Sequence, residues 1–308
     1  MSDTIVLGTR GSELALTQAR LVTEALQERW SDVQIETRIV RTSGDEGGTA
    51  AAVPPAGRKG LFTSEIERAL LDGEVDVAVH SAKDLPSELH PDTHIAAVLP
   101  RASVEDLLVS ARDCDLQSLP ANATVATGSV RRRYQLRWKR PDLNLVDLRG
   151  NVPTRLGKLA TSDWDAIVLA SAGLDRLKAR AEENLVRYQD RQFFARPLSA
   201  EIFVPAGGQG VIAMQVRTGD DRVRLLLEEI NHFDTRLCLR AEREFLRLLQ
   251  GDCNQPVGVH AAMDGAKLNL RAQVFDEGST QPREAVLRGA SEDAEEVAAK
   301  LFEAIHGS

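Results

Sequence analysis

Between residues 4 and 170, short apolar runs alternate with amphipathic helical patterns, and run after run ends in a polar or charged cluster. Strands in such an alternation are buried only in a sheet covered by helices, so the chain reads as α/β. Residues 4–7 form the first strand, Ser12 caps a helix with Ala15, Ala19, Val22 and Leu26 on one face, and 35–40 form a second strand. Ser64 and Glu67 make a capping-box pattern for a short helix with Ile66, Ala69 and Leu70 inward, closed by Gly73. Valines at 75, 77 and 79 then alternate along a strand that stops at His80-Ser81-Ala82-Lys83-Asp84-Leu85-Pro86. Ligands of open α/β sheets collect beyond the carboxyl ends of strands, which puts Lys83 and Asp84 at a cleft; the alternative is a surface ion pair.

A second α/β series follows over 105–195. Residues 123–127, 143–148 and 166–170 are its strands, with helical segments opening at Ser129, Val152 and Ala172. A buried strand over 211–216 succeeds the glycine-rich 205–210. From about residue 222 the pattern becomes two helices, short strands around a hairpin at Asp264-Gly265 and a final helix over 294–305, a small α+β unit. A length of 308 residues accommodates two or three domains. Residues 42–60 carry five glycines and little to bury, and read as a mobile loop, either a lid or a disordered stretch.

Several function classes lose support. The formal net charge of −8 argues against a general nucleic-acid or anionic-membrane binder, so anion binding must be local. Residues 1–10 lack the basic start and long apolar region of a secretion signal, which makes a cytoplasmic location the expectation. Cys114, Cys238 and Cys253 are odd in number and far apart, so free thiols are expected rather than a disulfide framework. His80, His90 and His94 fit no metal-ligand spacing and no metal is expected. Phosphate-loop, dinucleotide, serine-hydrolase and zinc-protease motifs are missing from the sequence.

Cations concentrate where strands end and helices begin. Thr127-Gly128-Ser129-Val130-Arg131-Arg132-Arg133 combines a strand end, a cap and arginines in one turn, where backbone N–H groups also favour an anion. Farther along that helix, Val130, Tyr134 and Trp138 are expected to face the core and Arg133, Arg137 and Arg140 to form a solvated stripe. Six basic residues among 131–140 keep a nucleic-acid reading open, against the acidic whole. Arg149 and Arg155 repeat the arrangement, as do Arg10 before Ser12 and Arg176. Together they imply a cleft for a ligand with several carboxylates or phosphates, since arginine holds such groups through paired hydrogen bonds. Cys253, in the turn Gly251-Asp252-Cys253-Asn254, is exposed by its context and either reactive or merely structural, whereas Cys238 reads as core.

In order along the chain, Arg10-Gly-Ser12-Glu-Leu-Ala, Lys59-Gly-Leu-Phe, His80-Ser-Ala-Lys-Asp-Leu-Pro, Ser129-Val-Arg-Arg, Leu148-Arg-Gly-Asn-Val-Pro-Thr-Arg, Ala172-Gly-Leu-Asp-Arg and Gly251-Asp-Cys strongly resemble the porphobilinogen deaminase, or hydroxymethylbilane synthase, family. The resemblance covers about 250 residues. It implies two α/β domains of the periplasmic-binding-protein type, residues 1–100 with 200–217 and residues 105–195, around a cleft, plus an α+β domain over 222–308. It implies a dipyrromethane cofactor attached through Cys253, four porphobilinogens added in turn with loss of ammonia, hydrolytic release of hydroxymethylbilane, and a monomer that needs neither metal, nucleic acid nor membrane. The resemblance implies a catalytic role for Asp84, as the single acidic group in an arginine-lined cleft. Arg10, Ser12, Ser81, Lys83, Thr127, Ser129, Arg131, Arg132, Arg149, Arg155 and Arg176 are implied to hold substrate or cofactor carboxylates, and Lys59 to belong to the lid loop. Departures from the family pattern are Asp252, Asn254 and Gln255 around the cysteine, Pro54-Pro55, Glu105 and Gly207. A non-catalytic two-domain receptor for a small polyanion and a turnover-deficient paralogue are the alternatives.

Overall fold

The computed structural model describes residues 4–41, 63–182, 184–249 and 256–307. Lys59, Cys253 and the loop reading of 42–60 lie outside the described residues. The first unit runs β1 (Thr4–Thr9), α1 (Glu13–Arg29), β2 (Gln34–Ile39), α2 (Ser64–Leu71), β3 (Val77–Ser81) and β4 (Thr93–Val98). The second runs β5 (Asp106–Ser110), β6 (Thr124–Ala126), α3 (Val130–Lys139), β7 (Asn144–Val146), α4 (Val152–Thr161), β8 (Ala166–Ala170), α5 (Ser171–Arg176), β9 (Arg180–Glu182), β10 (Leu185–Tyr188) and β11 (Arg191–Leu198). The chain then continues as β12 (Ile212–Arg217), α6 (Asp221–Glu228), α7 (Phe233–Leu248), β13 (Val257–Asp264), β14 (Lys267–Val274), β15 (Arg283–Ala290) and α8 (Ala294–His306).

Three sheets result. In the first, ordered β2-β1-β3-β12-β4, β1 is parallel to β2 and β3, and β12 is inserted antiparallel between β3 and β4. That insertion follows from burial: Ile212, Ala213, Met214, Gln215 and Val216 are all buried, a run that suits only an interior strand. The second sheet, ordered β7-β6-β8-β5-β11-β10-β9, is parallel from β7 to β8 and antiparallel beyond. Strands β9 to β11 escape the sequence reading because charges interrupt their apolar residues and Pro197 sits in β11. The third sheet, β13-β14-β15, is antiparallel and shares with α7 and α8 a core that includes Phe245, Leu268, Leu270, Ala298 and Leu301.

Local signals mostly fold as read. Ser12 caps α1, and Ala15, Ala19, Val22 and Leu26 are buried on one face. The capping box of α2 does not form: Thr63 is the N-cap but its side chain makes no capping bond, Ser64 Oγ turns to Glu65, and the Glu67 carboxylate accepts from the buried amide of Gln215 at 2.6 Å. In α3 the most buried side chains are Arg131, Arg132, Gln135 and Leu136 rather than the expected apolar face. Tyr134 and Trp138 instead lie against Phe275 of the third unit, with ring centroids 5.5 and 6.2 Å away. Arg140 leaves the expected solvated stripe to pair with Asp142 through both carboxylate oxygens and to donate to the carbonyls of Leu116 and Leu119. Cys238 is buried, and burial, followed by the Glu242 charge, pushes its thiol up to about 12.

The segment before β12 holds the units together. Arg176 Nη2 of the second unit donates to the carbonyl of Gly210 at 2.7 Å, and Arg101 Nε donates to that of Gln209 at 2.9 Å. Gly208, at φ +75°, passes so close to the next turn that a Cβ would lie 2.9 Å from Ala82 C and Lys83 N. Gly207 has no more room, since a Cβ there would fall 2.9 Å from Leu246 Cδ1 and Val259 Cγ1. The third unit docks on the same segment through the fully buried Glu242 of α7. Its carboxylate accepts from Arg101 Nη1 at 2.6 Å, Gly208 N at 2.7 Å and Ala261 N at 2.7 Å. Leu239, one turn earlier, packs with Ala82, Leu85 and Val211, so α7 supports the turn that carries Lys83 and Asp84. Glu242→Ala strands the Arg101 charge and two buried N–H groups, and is expected to cost roughly 3–5 kcal/mol of stability in urea denaturation.

Candidate functional site

Strand β3 ends in a single 3₁₀ turn, Ala82–Asp84, because Pro86 cannot continue a helix and Ala82 is held by its N–H bond to the carbonyl of Val211. Lys83 and Asp84 therefore leave a rigid strand end, half-buried. Asp84 shares a pocket with Arg10, Ser12, Leu14, Ala15, Gln18, Thr63, Val79, His80 and Ser81. Ser12 is there because its hydroxyl caps α1 at Ala15 N, and Ser81 because its hydroxyl accepts from Gln18 Nε2 at 2.8 Å. Sequence reasoning brought Arg10, Ser12, Ser81 and Asp84 to one place but overlooked Gln18 and His80, both buried on element faces that read as core.

The cations of the second unit gather on a carboxylate that the sequence reading did not single out. Asp106, buried at the start of β5, accepts from Arg131 Nη2 at 2.8 Å, Arg132 Nη2 at 2.6 Å and Gln209 Nε2 at 2.9 Å. Burial pushes its carboxyl up, but the two guanidinium groups and their hydrogen bonds outweigh that and hold it well below the usual carboxylate range. Arg131 Nη1 also donates to Gln135 and the Val204 carbonyl, and Arg132 Nη1 to the Val168 carbonyl. Their buried Nε–H groups have no hydrogen-bond partner among the described residues. Buried donors in that condition favour an acceptor such as a carboxylate. Thr127 and Ser129 brace this turn: Thr127 Oγ1 accepts from Ser129 N, and Ser129 Oγ caps α3 at Arg132 N.

Gln209 links the cluster to the β3 turn, its Oε1 lying 3.5 Å from Lys83 Nζ. Burial pulls the Lys83 ammonium down to about 8; Asp84 and Asp106 oppose this, while Arg132 and Arg131 add to it. Arg155, half-buried, donates from Nε to the Gly150 carbonyl at 2.7 Å. Burial and then the Arg132 charge disfavour its guanidinium, and the negative charges of Asp84 and Asp147 offset part of this. The charges of Asp84 from the first unit and of Arg132 from the second thus act together on Lys83 and on Arg155.

Not every expected ligand joins them. Arg149 is exposed and paired with Asp147 at 2.9 Å, and Arg176 is fixed to Gly210, where burial lowers its guanidinium to about 10. Asp84 is not the single acidic group of the cleft, since Asp106 and Asp147 also lie among its arginines. Asp106 could have been noticed as an acid opening an otherwise apolar strand, Asp106-Leu107-Leu108-Val109. Among the described residues no group of three or more His, Cys, Asp or Glu side chains could hold a metal ion, and no helix is long and apolar enough to cross a membrane.

Residues 5–225 match the family model described as porphobilinogen deaminase, dipyromethane cofactor binding domain, and residues 236–307 match porphobilinogen deaminase, C-terminal domain. The porphobilinogen deaminase of Syntrophomonas wolfei is 46% identical over 268 residues, covering 87% of this chain and 84% of its own. That of Moorella thermoacetica is 42% identical over 302 residues, covering 97% and 93%. Among solved structures, the periplasmic VFT2 domain of Bordetella pertussis BvgS aligns at a TM-score of 0.45 and 16% identity, covering 74% of this chain and 87% of that one.

Replacing Asp106 by Asn leaves two buried guanidinium groups short of their counter-charge and is expected to cost roughly 3–5 kcal/mol in urea denaturation, whereas Asp147→Asn, at an exposed pair, costs at most about 1 kcal/mol. Because the Asp106 carboxyl is depressed in the folded state, its contribution is present above the ordinary carboxylate value of about 3.9 and is lost as pH falls below it. The gap between wild type and Asp106→Asn is therefore constant near neutrality and closes in acid.

Proposed function

The chain belongs to the porphobilinogen deaminase family, and on that premise we propose that it is a hydroxymethylbilane synthase, a transferase that joins four porphobilinogens head to tail with loss of ammonia and releases the linear tetrapyrrole with water. What supports the reading is that Asp84 shares a pocket with Arg10 while its charge, like those of Arg131 and Arg132, acts on Lys83, and its charge and that of Arg132 act on Arg155 of the second unit. A two-domain receptor for small anions needs no carboxylate at the centre of its cationic cleft. Taking the sheets as domains, residues 1–100 with 200–217 and residues 105–195 form the two walls, and residues 222–308 carry Cys253.

The residues suit a dipyrromethane group. Its acetates and propionates match the unpartnered Nε–H groups of Arg131 and Arg132, and Cys253, outside the described residues, is the proposed attachment point. When bound, that group supplies the pyrrole carbon to which the first porphobilinogen is joined. Arg10, Ser12, Ser81 and Lys83 would hold carboxylates on the β3 side, and Thr127, Ser129 and Arg155 on the other, which Arg149 would join only by leaving its exposed pair with Asp147. Arg176, committed to Gly210, fits a positioning role between the units. Loss of ammonia from porphobilinogen leaves a cationic azafulvene, and an ionised Asp84 stabilises that charge where it develops and accepts pyrrole N–H bonds. Low local dielectric strengthens this effect, and the surrounding cations keep the substrate carboxylates from competing for the same position. The reading places the protein in the cytoplasm as a monomer, with porphobilinogen as its small-molecule partner.

Intact-mass measurement and porphobilinogen consumption test the reading together. The purified chain is expected to carry a dipyrrole adduct that Cys253→Ala lacks, and Asp84→Asn to lose on the order of a hundredfold or more in kcat with the adduct retained. Near-normal turnover in Asp84→Asn would remove the central role given to that carboxylate. A second outcome concerns Lys83, whose ammonium is lost as pH rises through about 8. Above that pH kcat/KM is expected to fall through KM, and Lys83→Arg, which stays protonated, to flatten that limb.

A further inference from the structure

His80 lies in β3 on the face covered by α2, and a chain of buried polar side chains fixes its proton. Its Nε2 is 3.1 Å from Gln215 Oε1. Gln215 Nε2 donates to Glu67 Oε1 at 2.6 Å and to Thr93 Oγ1 at 2.7 Å. The Thr93 hydroxyl in turn donates to the carbonyl of His90 at 2.9 Å, so its oxygen is left to accept. Both amide hydrogens of Gln215 are thereby used, and its oxygen can only accept. His80 Nε2 must carry the proton, and in the neutral ring Nδ1 is a bare acceptor. Nδ1 lies on the other side of the ring from the Gln215 bond, has no hydrogen-bond partner among the described residues, and belongs to a residue that is one of those lining the Asp84 pocket.

We propose that His80 Nδ1 is a second hydrogen-bond acceptor for substrate N–H groups in the Asp84 pocket, its ring locked in the Nε2–H form by the Gln215 relay. The assignment rests on the function proposed above and deepens it. Porphobilinogen brings a pyrrole N–H and an aminomethyl ammonium, whereas Arg10, Ser12 and Ser81 chiefly offer donors suited to its carboxylates. Burial supports the same picture: it lowers the imidazole to about 4, against the weaker opposing effect of the Gln215 bond, so the ring stays neutral near pH 7. A neutral ring neither pairs with Asp84 nor repels the cation that forms beside it. Its weak basicity makes it an acceptor and not a proton carrier.

Isosteric replacement separates this role from a structural one. In His80→Asn the amide oxygen stands near the position of Nδ1, while in His80→Gln the amide nitrogen stands near Nε2 and can still hold Gln215. With cofactor loading confirmed by intact mass, His80→Gln is expected to lose on the order of tenfold in kcat/KM for porphobilinogen while His80→Asn stays closer to wild type. Equal losses, or better activity in His80→Gln, overturn the assignment and leave His80 as the anchor of Gln215. A wild type that consumes no porphobilinogen fails at the functional reading, and this inference falls with it. If neither variant folds, nitrogen-15 histidine spectra of the wild-type holoenzyme decide: an unprotonated Nδ1 whose resonance shifts when porphobilinogen is added supports the role, and a protonated or unresponsive Nδ1 overturns it.

Discussion

Asp106 takes the positive charge of two arginines and the amide of Gln209 at a place where water does not reach, and the geometry of the cleft depends on how that carboxylate is satisfied. A buried carboxylate is costly alone, and so is each buried guanidinium; three hydrogen-bonded groups of opposite sign make the cluster tolerable. Its consequence is directional. Asp106 takes the Nη2 groups of Arg131 and Arg132, and their buried Nε–H groups have no hydrogen-bond partner among the described residues. Through Gln209 the same cluster reaches Lys83, so the cations of the second unit and the strand end of the first share one connected network.

The segment that supplies Gln209 is also where the three units meet. Its carbonyls accept from Arg101 and Arg176, its Gly208 N–H donates to Glu242, and its continuation becomes an interior strand of the first sheet. Gly208, at positive φ against the Ala82-Lys83 backbone, needs to be glycine, whereas a Cβ at 207 would meet only the methyl ends of Leu246 and Val259. Gly207 is thus crowded by the side chains of Leu246 and Val259. Helix α7 closes the arrangement by packing Leu239 beneath the turn of Asp84 while Glu242 fastens it to Arg101.

The proposed chemistry needs opposite charges close together without mutual cancellation. Structural acids do this by engaging specific arginines: Asp106 holds Arg131 and Arg132, and Asp147 holds Arg149 and Arg133. Asp84, by contrast, stands in a pocket with neutral His80 and the hydroxyls of Ser12 and Ser81, feeling Lys83 and Arg155 as fields. With neutral His80 and the serine hydroxyls beside it and the cations Arg10, Lys83 and Arg155 around it, the carboxylate can meet a cation while carboxylates of the same ligand bind nearby.

Much of this was legible in the chain. Strand and helix periods, the caps at Ser12 and Ser129, the abrupt end of β3 before Pro86 and the arginines at helix starts all follow from local propensity and spacing, and they placed Asp84, Lys83 and the Arg131-Arg132 pair at strand ends. What the sequence could not assign was which acid meets which base. Spacing marks Glu67 as a capping residue, yet it holds Gln215; spacing marks Arg140 as solvated, yet it joins Asp142; and no motif distinguishes Asp106 or Glu242. Those choices belong to tertiary structure, because partners such as Asp106 and Arg131 or His80 and Gln215 are remote in sequence, and a charge or hydrogen bond acts through distance in space and the dielectric around it, neither of which a linear pattern contains.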